Sequence, residues 1–409
     1  MKQMQVVVVG GGASGMVAAI SAARNGAKVV LLEQKDRIGK KLLSTGNGRC
    51  NLTNENMNDT YFRGDDTSII GPVLEKFGYE ETLQFFGDLG VLFKNKQGYV
   101  YPISEQATTI LDVLRMELAR LKVEIRTETA VLDIKKEGEG FCIVTDKGDI
   151  YTSRLILATG GRAASTLGSD GSGYRLAKEL GHHITEVVPA LVQLHGNGTY
   201  FKQLAGVRTN ANVQLLVDGE CVAADCGELQ LTNYGISGIP VFQVSRYAAK
   251  ALARKKQVVA EIDFLPSMSE DEFFTFMESR KSLQKEKTAE EFCVGIFHKK
   301  LIGVLLKCAN IPLSLSMYKV NEKQFYTFLH LCKHFEIEIT GTNSFEQAQI
   351  CAGGVKTTEI CPQTMESIFH KNLYLTGELL DIDGVCGGYN LQWAWATGYI
   401  AGVHAAKGI

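Results

Sequence analysis

The apolar positions near the start of the chain follow the pattern of one βαβ unit. Residues 6–9 are four consecutive valines, and such a β-branched run without polar alternation is typical of a strand buried on both faces of a parallel sheet. A glycine-rich turn, a helical pattern over residues 16–24 and a second buried strand at 28–32 follow, and this strand ends at Glu33. The order predicts a strand, a tight turn, a helix and a second, parallel strand.

Short apolar runs later in the first half of the chain predict further strands. Residues 123–127, 130–134 and 141–145 are separated by polar or glycine-containing turns, which predicts an antiparallel meander. The strand predicted at 154–158 runs directly into Thr159-Gly160-Gly161.

The pattern changes after Pro189. Short strands divided by Gly, Asn and Asp predict an all-β segment there, and two capping-box sequences at 269–272 and 288–291 predict the starts of helices. Near the end of the chain, a strand is predicted at 372–376 and an Ala- and Gly-rich helix at 391–406.

Length and charge limit the classes of protein to consider. A chain of 409 residues with 45% apolar and 22% charged residues is typical of a globular protein with more than one domain. Its net charge of −2 provides no overall attraction to a polyphosphate or to an anionic membrane. We therefore expect neither nucleic acid nor a membrane as a partner.

The ten cysteines are scattered singly, and no two have C-x-x-C spacing. This distribution indicates reduced thiols in a cytoplasmic protein, and it favours neither a disulfide framework nor a metal site. The apolar run at residues 6–9 ends at three glycines, which makes it too short for the apolar region of a signal peptide. We expect a cytoplasmic protein without a bound metal.

The turn after the first strand has the spacing of a dinucleotide-binding motif. Gly10 permits the tight turn, Gly12 lets the backbone approach a pyrophosphate, and Gly15 lets the helix pack close to the strand. The helix N-terminus then offers N–H groups to the phosphates, and the carboxylate of Glu33 accepts hydrogen bonds from ribose hydroxyls. The residues predicted to hold this end of an adenine dinucleotide are Gly10, Gly12, Ala13, Ser14, Gly15, Glu33 and Gln34.

Other segments favour FAD over a nicotinamide dinucleotide at this site. Glu33 would repel the 2′-phosphate of NADP, and the basic, glycine-rich segment at 39–51 suits an extended loop that runs along a bound cofactor. The residues expected along that loop are Lys41, Leu42, Thr45, Gly46, Asn47, Gly48, Arg49 and Cys50. The residues expected at two later turns that enclose the cofactor are Thr159, Gly160, Gly161, Gly377 and Glu378.

Several motifs together resemble one known family, the BaiN-like FAD-dependent oxidoreductases. The motifs occupy residues 10–15, 45–53, 158–161, 232–238, 353–355, 377–381 and 387–392. Relatives in that family include a reductase of dehydrated 3-oxo bile acids and an aminoacetone oxidase. The chain departs from the family pattern at Asn233, where many members have His, so a role for that imidazole does not carry over.

The resemblance implies an α/β fold with a Rossmann-like FAD-binding domain of the glutathione-reductase type, an inserted β-barrel-like domain and a small helical domain. The FAD domain is expected over residues 1–189 and 346–409, and the inserted domain over 190–268 and 318–345. The helical subdomain is expected over 269–317.

The resemblance also implies the flavin end of the site. The helix that begins near Leu391 would direct N–H groups toward the pyrimidine side of the flavin, and Val131 matches the position whose backbone meets the adenine. The other residues expected at the flavin end are Gly388, Tyr389 and Asn390.

Two residues are candidates for catalysis. Tyr389 is either a proton donor or a ring wall of the pocket, and Cys386 precedes the glycine pair and would touch the substrate. Cys50 is interpreted as an inert, packed thiol, and His182 and His183 are predicted to lie in a surface turn.

These observations favour an FAD-dependent oxidoreductase in which flavin N5 exchanges hydride with a small or polycyclic organic substrate. The leading hypothesis is an NAD(P)H-dependent reductase of a conjugated carbon–carbon double bond in a bile-acid-like 3-oxo enone. NAD(P)H would bind transiently, because the chain has no second G-x-G-x-x-G turn after a strand. The alternatives are an amine oxidase of the aminoacetone oxidase type and, from another class, a flavin-bound RNA-modifying or RNA-binding protein. The oligomeric state stays open.

Overall fold

The computed structural model describes residues 5–407, which form two compact units. The first unit contains the described residues up to Val187 and those from Gln349 onward, and the second contains Val188–Ala348. Residues 1–4 and 408–409, which the predicted FAD domain includes, lie outside the described part of the chain.

The helices and strands are numbered in chain order. The strands are β1 (Gln5–Val9), β2 (Lys28–Leu32), β3 (Thr53–Asn54), β4 (Phe62–Arg63), β5 (Phe93–Lys96), β6 (Tyr99–Pro102), β7 (Glu124–Arg126), β8 (Val131–Glu137), β9 (Gly140–Thr145), β10 (Gly148–Thr152), β11 (Arg154–Leu157), β12 (Val188–Ala190), β13 (Leu194–Gly196), β14 (Arg208–Val217), β15 (Glu220–Leu231), β16 (Gly235–Gly238), β17 (Val258–Asp263), β18 (Phe335–Thr342), β19 (Ile350–Ala352), β20 (Leu373–Leu375) and β21 (Asp383–Gly384). The helices are α1 (Ala13–Arg24), α2 (Ile70–Lys76), α3 (Tyr79–Asp88), α4 (Ala107–Arg120), α5 (Ser172–Glu179), α6 (Phe201–Leu204), α7 (Ile239–Ala253), α8 (Glu270–Leu283), α9 (Ala289–Cys293), α10 (Lys299–Cys308), α11 (Glu322–Lys333) and α12 (Tyr389–Lys407).

The first unit is built on a parallel five-stranded sheet in the order β20-β11-β1-β2-β7. The valines of β1 lie at its centre and are buried, as expected for a strand covered on both faces. Because the carboxyl ends of parallel strands meet at one edge, the turns after β1, β2, β11 and β20 lie side by side. The predicted fold class, a Rossmann-like domain with an inserted barrel, is confirmed.

The predicted meander is correct in kind but shifted along the chain. The antiparallel sheet consists of β8, β9 and β10, whereas β7 is the edge strand of the parallel sheet and pairs with β2. The three residues of β7 are all exposed, so no apolar periodicity marks which sheet they join.

Helices α1 and α12 cross so closely that a side chain at the crossing points would clash with the backbone of the other helix. A Cβ atom at Gly398 would lie 2.3 Å from the backbone oxygen of Ser14, and one at Gly402 would lie 2.3 Å from that of Ala18. Glycine at both positions therefore permits the close crossing. This crossing brings residues from the two ends of the chain into one core.

The second unit contains a closed barrel in the order β13-β16-β15-β14-β17-β18, together with the helices α6–α11. Both capping boxes predicted from the sequence are present, with Ser269 starting α8 and Thr288 starting α9. The prediction of an all-β segment after residue 189 is wrong over α7, a 15-residue helix with one face buried in the core of this unit.

No helix within residues 5–407 is both long enough and apolar enough to span a membrane.

Candidate functional site

The turn between β1 and α1 has the geometry of a phosphate-binding site. A Cβ atom at Gly15 would lie 1.9 Å from the Gly10 oxygen, so helix and turn pack as closely as the motif predicts. At Gly12, in contrast, a Cβ atom would meet nothing within 4 Å, so the space beside the helix start is open. Gly12 supplies no side-chain cap, and the first turn of α1 contains no acidic residue. The unpaired N–H groups of this turn therefore suit an anion.

Glu33 lies beside the same turn at the end of β2. Its carboxylate accepts hydrogen bonds from the backbone N–H of Gly11 at 2.9 Å and of Lys35 at 2.8 Å. Burial raises the pKa of Glu33, while these two N–H donors act in the opposite direction. Each carboxylate oxygen keeps a lone pair for a ribose hydroxyl. The next residue, Gln34, donates to the backbone oxygen of Gly168 at 2.7 Å.

The basic loop after β2 reaches the turn that follows β20. Lys41 Nζ lies 2.7 Å from Glu378 Oε2, and both side chains are half-buried. The two residues are 337 positions apart in the chain, and the sequence predicted both as cofactor contacts. Since Gly377 also lies against Ser14 of α1, the structure brings the two predicted halves of the site together in the first unit.

The middle of this loop is a compact turn with unusual backbone angles. Leu42 begins it and is buried, and Thr45 Oγ1 donates to the Leu42 oxygen at 2.6 Å. Gly46, Asn47 and Gly48 all have positive φ and are exposed. A turn of this kind exposes backbone N–H and C=O groups, which suits its predicted place along the cofactor.

The two residues after this turn differ in accessibility. Arg49 is exposed, with its guanidinium 5.9 Å from the centre of the Tyr101 ring. Cys50 is fully buried, and this burial raises the pKa of its thiol to about 12. At neutral pH the Cys50 thiol stays protonated, in agreement with its interpretation as an inert residue.

The end of β11 also faces this region. The hydroxyl of Thr159 is buried and has no hydrogen-bond partner among the described residues. Gly160 has a φ of +72°, and a Cβ atom at Gly161 would lie 3.4 Å from the backbone oxygen of Glu378, so these turns are close to each other. Val131 begins β8, where the pairing with β9 is irregular.

The flavin end predicted from the sequence is the start of α12. Asn390 folds back onto the preceding loop: its amide accepts from Gly384 N at 2.8 Å and donates to the Gly384 oxygen at 2.8 Å. Gly388 has a φ of +96° just before the helix. Because the Asn390 side chain is occupied, a ligand would meet the backbone N–H groups of Asn390 and Leu391.

Gln392 was quoted within a motif but not predicted as a site residue, yet it anchors this helix start. Its Oε1 accepts from the hydroxyls of Thr53 at 2.7 Å and Thr82 at 2.9 Å. Its Nε2 donates to the oxygens of Phe77 at 2.9 Å and Gly78 at 3.0 Å. The side chain is fully buried, so one amide connects α12 to three other segments. The available signal was a long polar side chain next to the mostly apolar run at residues 393–396.

The two catalytic candidates have different environments. The Tyr389 ring stacks on Tyr61 with centroids 4.7 Å apart, and its hydroxyl donates to the Asn56 oxygen at 3.2 Å. Burial and the neighbouring Tyr61 raise the pKa of Tyr389 well above its usual range. These contacts favour the ring-wall alternative over the proton donor. Cys386 is half-buried in the loop before α12.

FAD fits the residues that the structure brings together. The open space at Gly12 and the uncapped start of α1 match a pyrophosphate, Glu33 matches an adenosine ribose, and the start of α12 matches the flavin ring. Thr159 supplies a buried hydroxyl that a ligand would satisfy. Among residues 5–407, no group of three His, Cys, Asp or Glu side chains is arranged to hold a metal ion.

Comparison with known proteins shows the family to which this chain belongs. The family model described as the HI0933-like protein Rossmann domain matches residues 4–404. The chain belongs to the HI0933-like family. The predicted class, an FAD-dependent oxidoreductase related to the BaiN-like proteins, is confirmed, while the individual contacts to FAD and the use of NAD(P)H stay predictions.

This member of the HI0933-like family is similar to two curated proteins in sequence and to one solved structure in fold. The chain is 49% identical to the 3-dehydro-bile acid delta(4,6)-reductase of Clostridium scindens, over 98% of this chain and 99% of the relative. It is 25% identical to the ribosomal RNA dihydrouridine synthase of Escherichia coli, over 98% and 97%. The 3-ketosteroid delta1-dehydrogenase of Sterolibacterium denitrificans matches with a TM-score of 0.51 and 13% identity, over 99% of this chain and 100% of that one, which shows a shared fold.

The predicted surface turn at His182 and His183 is wrong for His182, whose side chain is fully buried. His182 Nδ1 lies 2.9 Å from Glu359 Oε2, and His182 Nε2 lies 2.9 Å from Ser367 Oγ. The order Ser, His, Glu resembles a hydrolase triad. Ser367 Oγ, however, accepts from the N–H groups of Phe369 and His370 and is buried, so it has neither a lone pair nor access for nucleophilic attack. The cluster of Ser367, His182 and Glu359 therefore has a structural role and not a catalytic one.

The cluster predicts that stability decreases as the pH falls below neutral. Burial lowers the pKa of His182, although Glu359 acts in the opposite direction, so the unfolded chain binds this proton at a higher pH than the folded protein does. The unfolding free energy should therefore decrease as the pH falls below about 6.5. Urea unfolding at a series of pH values, on wild type and His182→Asn, measures this effect.

The other histidines are present in both proteins, so the difference between the two pH profiles reports on His182 together with its partner Glu359. His404, with a lowered pKa, and His334, with a raised one, contribute equally to each slope. The variant should show a weaker loss of stability between neutral and mildly acidic pH. Parallel pH profiles would contradict the assignment.

Proposed function

We propose that the protein is an FAD-dependent reductase that saturates a carbon–carbon double bond conjugated with the 3-oxo group of a bile-acid-like substrate, with NAD(P)H as the transient reductant. The observation that carries this proposal is 49% identity, over nearly the full length of both chains, to a 3-dehydro-bile acid delta(4,6)-reductase. Within the first unit, the turns at Gly12 and Glu33 and the start of α12 would hold the cofactor that such a reaction needs, and this arrangement supports the proposal.

The chain's own residues would bind, orient and shield the reactants. When bound, FAD supplies the two-electron chemistry that accepts hydride from NAD(P)H and delivers it to carbon. The α12 N-terminus, fixed by Gln392 and Asn390, would offer N–H groups and a partial positive charge to the flavin, which would favour the negative charge that a flavin gains on reduction. The Tyr61–Tyr389 stack would form an apolar wall next to this helix start and exclude water.

RNA modification receives less support. Saturation of uridine and saturation of a dienone both reduce a double bond conjugated with a carbonyl, so the rRNA dihydrouridine synthase relative shares the chemistry of the proposal. Its identity is only 25%, about half that of the bile acid reductase. The net charge of −2 gives no general attraction to rRNA.

An anaerobic half-reaction experiment tests the proposed function. The purified protein should be yellow, NADH or NADPH should bleach the flavin, and a 3-oxo-4,6-diene bile acid should restore the colour in stoichiometric amount. Free FAD at the same concentration is the control and should remain unbleached on this timescale. The saturated product is identified by mass, two hydrogens heavier per double bond reduced.

Two further assays distinguish the proposed reductase from the alternative functions. Aminoacetone with oxygen as the reoxidant tests the oxidase, and rRNA that lacks dihydrouridine tests the RNA enzyme. Reoxidation by rRNA but not by the dienone would overturn the proposal, as would a flavin that neither nicotinamide nucleotide reduces.

A further inference from the structure

A small antiparallel sheet of the first unit, in the order β3-β6-β5, carries aromatic and basic side chains on one face. Tyr99 of β6 lies opposite Asn54 of β3 and Lys96 of β5. Tyr101 of β6 lies opposite Lys94 of β5. Residues directly opposite each other in an antiparallel pair point to the same face, as do residues two apart in one strand. These five side chains therefore share a face, which we call the β6 face.

The β6 face adjoins the start of α12, the predicted flavin end of the site. Asn54 Nδ2 donates to the backbone oxygen of Gly387 at 2.9 Å, two residues before the helix. A Cβ atom at Gly387 would lie 2.9 Å from the Tyr99 ring and 3.3 Å from the Tyr389 ring, so these two rings are near each other. Since Tyr61 stacks on Tyr389, the rings of Tyr61, Tyr389 and Tyr99 form one aromatic cluster at the helix start.

Tyr101 extends this aromatic cluster along β6. It follows Tyr99 by two residues, which is about 7 Å along a strand, and both rings are accessible to solvent. The guanidinium of Arg49 lies 5.9 Å from the centre of the Tyr101 ring. A Cβ atom at Gly46 would lie 3.6 Å from the same ring, so the loop that carries Arg49 packs against it. Together with Tyr101, the aromatic cluster forms a row of rings that ends at Arg49.

Arg49 is the cation of this region that is available to a ligand. Lys94 and Lys96 both form ion pairs with Glu105. Arg49 is exposed, and within residues 5–407 its side chain has no ion pair or hydrogen bond, only the contact with Tyr101. A guanidinium matches a carboxylate with two parallel hydrogen bonds. The sequence predicted Arg49 as a cofactor contact, but the pyrophosphate of FAD is assigned to the start of α1, which leaves this guanidinium for the anion of another ligand.

We propose that Arg49 binds the side-chain carboxylate of the bile-acid-like substrate while Tyr99 and Tyr101 contact its ring system, which makes the enzyme selective for acidic over neutral substrates. This inference rests on the proposed function and names the part of the substrate that the site distinguishes. The 3-oxo group and the carboxylate are at opposite ends of a bile acid. Likewise, the Tyr99 end of the row adjoins the helix start, and its Tyr101 end adjoins Arg49. The flat apolar rings of the substrate match the aromatic row in polarity.

A matched pair of ligands tests the role of Arg49. The pair is a 3-oxo-4,6-diene bile acid and its primary amide, which has nearly the same shape and no charge. Calorimetry on the oxidised, flavin-loaded full-length protein should show the acid bound about tenfold more tightly than the amide. Arg49→Met should bind the two equally, because no cation then faces the carboxylate. The matched control is Arg175→Met, since Arg175 is exposed on α5 and pairs with Glu179, and this variant should keep the difference.

A second variant tests the aromatic row. Tyr99→Ser removes an exposed ring and should weaken binding of the acid and the amide by the same factor, about fivefold or more, because the ring system is common to both ligands. Tyr151→Ser is the matched control, since Tyr151 is also exposed in the first unit but lies on β10. It should change neither affinity. Wild-type affinities in Tyr99→Ser would exclude the ring contact.

The outcomes distinguish this inference from the proposed function. If the wild type reduces the dienone but binds acid and amide equally, the inference is wrong and the proposed function stands. If the wild type binds the acid in an Arg49-dependent way but does not reduce it, the proposed function fails and the carboxylate site stands. Loss of flavin from Arg49→Met would assign Arg49 to FAD, and selective loss of bleaching by NADPH would assign it to the reductant. Either result would overturn the inference.

Discussion

Replacing Gly12 with valine should give a folded protein that no longer retains FAD. The backbone of Gly12 has a φ of −81° and a ψ of −166°, which valine adopts readily, and a Cβ atom there would meet nothing within 4 Å. The new side chain would instead fill the open space assigned to the pyrophosphate and shield the N–H groups of α1. Flavin absorbance per protein after desalting should fall by about tenfold or more.

The matched control for this experiment is Gly71→Val. Gly71 is exposed at the start of α2, and a Cβ atom there also meets nothing within 4 Å. This variant should retain FAD, and circular dichroism should show both variants folded. Full FAD content in Gly12→Val would refute the placement of the pyrophosphate.

Replacing Gln392 with methionine should destabilise the protein by about 3–5 kcal/mol, because several buried polar groups lose their partners at once. Methionine has nearly the same length and shape, so little packing is lost. The hydroxyls of Thr53 and Thr82 and the backbone oxygen of Phe77 would be left unsatisfied, and the Gly78 oxygen would keep only the N–H of Thr82. Urea unfolding of the FAD-free protein measures the change without a contribution from cofactor binding.

Gln106→Met is the matched control in the same unit. The Gln106 side chain is exposed, and its loss should change the unfolding free energy by less than about 0.5 kcal/mol. A similar small effect at Gln392 would mean that the α12 start does not depend on this amide. A large effect should be accompanied by weaker FAD retention, since the same helix start is predicted to contact the flavin.

The parts of the fold that the sequence predicted are those marked by local patterns. The valine run of β1, the glycine spacing after it and the capping boxes at Ser269 and Thr288 each depend on residues close in sequence. The pairing of Lys41 with Glu378 was not predicted as such, but each residue was placed at the cofactor from its own motif.

The parts that it missed depend on distant partners. The three exposed residues of β7 join the parallel sheet because β2 offers its edge, and no periodicity in three residues encodes that choice. His182 is buried because Glu359 and Ser367, far along the chain, satisfy both ring nitrogens. Gln392 is a similar case: four partners from three segments make its burial favourable, and none is near it in sequence.

The contact between Lys41 and Glu378, 337 positions apart, has a consequence for biosynthesis. During translation the phosphate-binding turn leaves the ribosome early, whereas β20 and α12 emerge only after the whole barrel unit has been made. The nascent first unit lacks an edge strand and the helix that covers α1 until then. We therefore expect cofactor loading to wait until β20 and α12 have left the ribosome, and ribosome-bound chains stalled before Gly377 should bind no flavin.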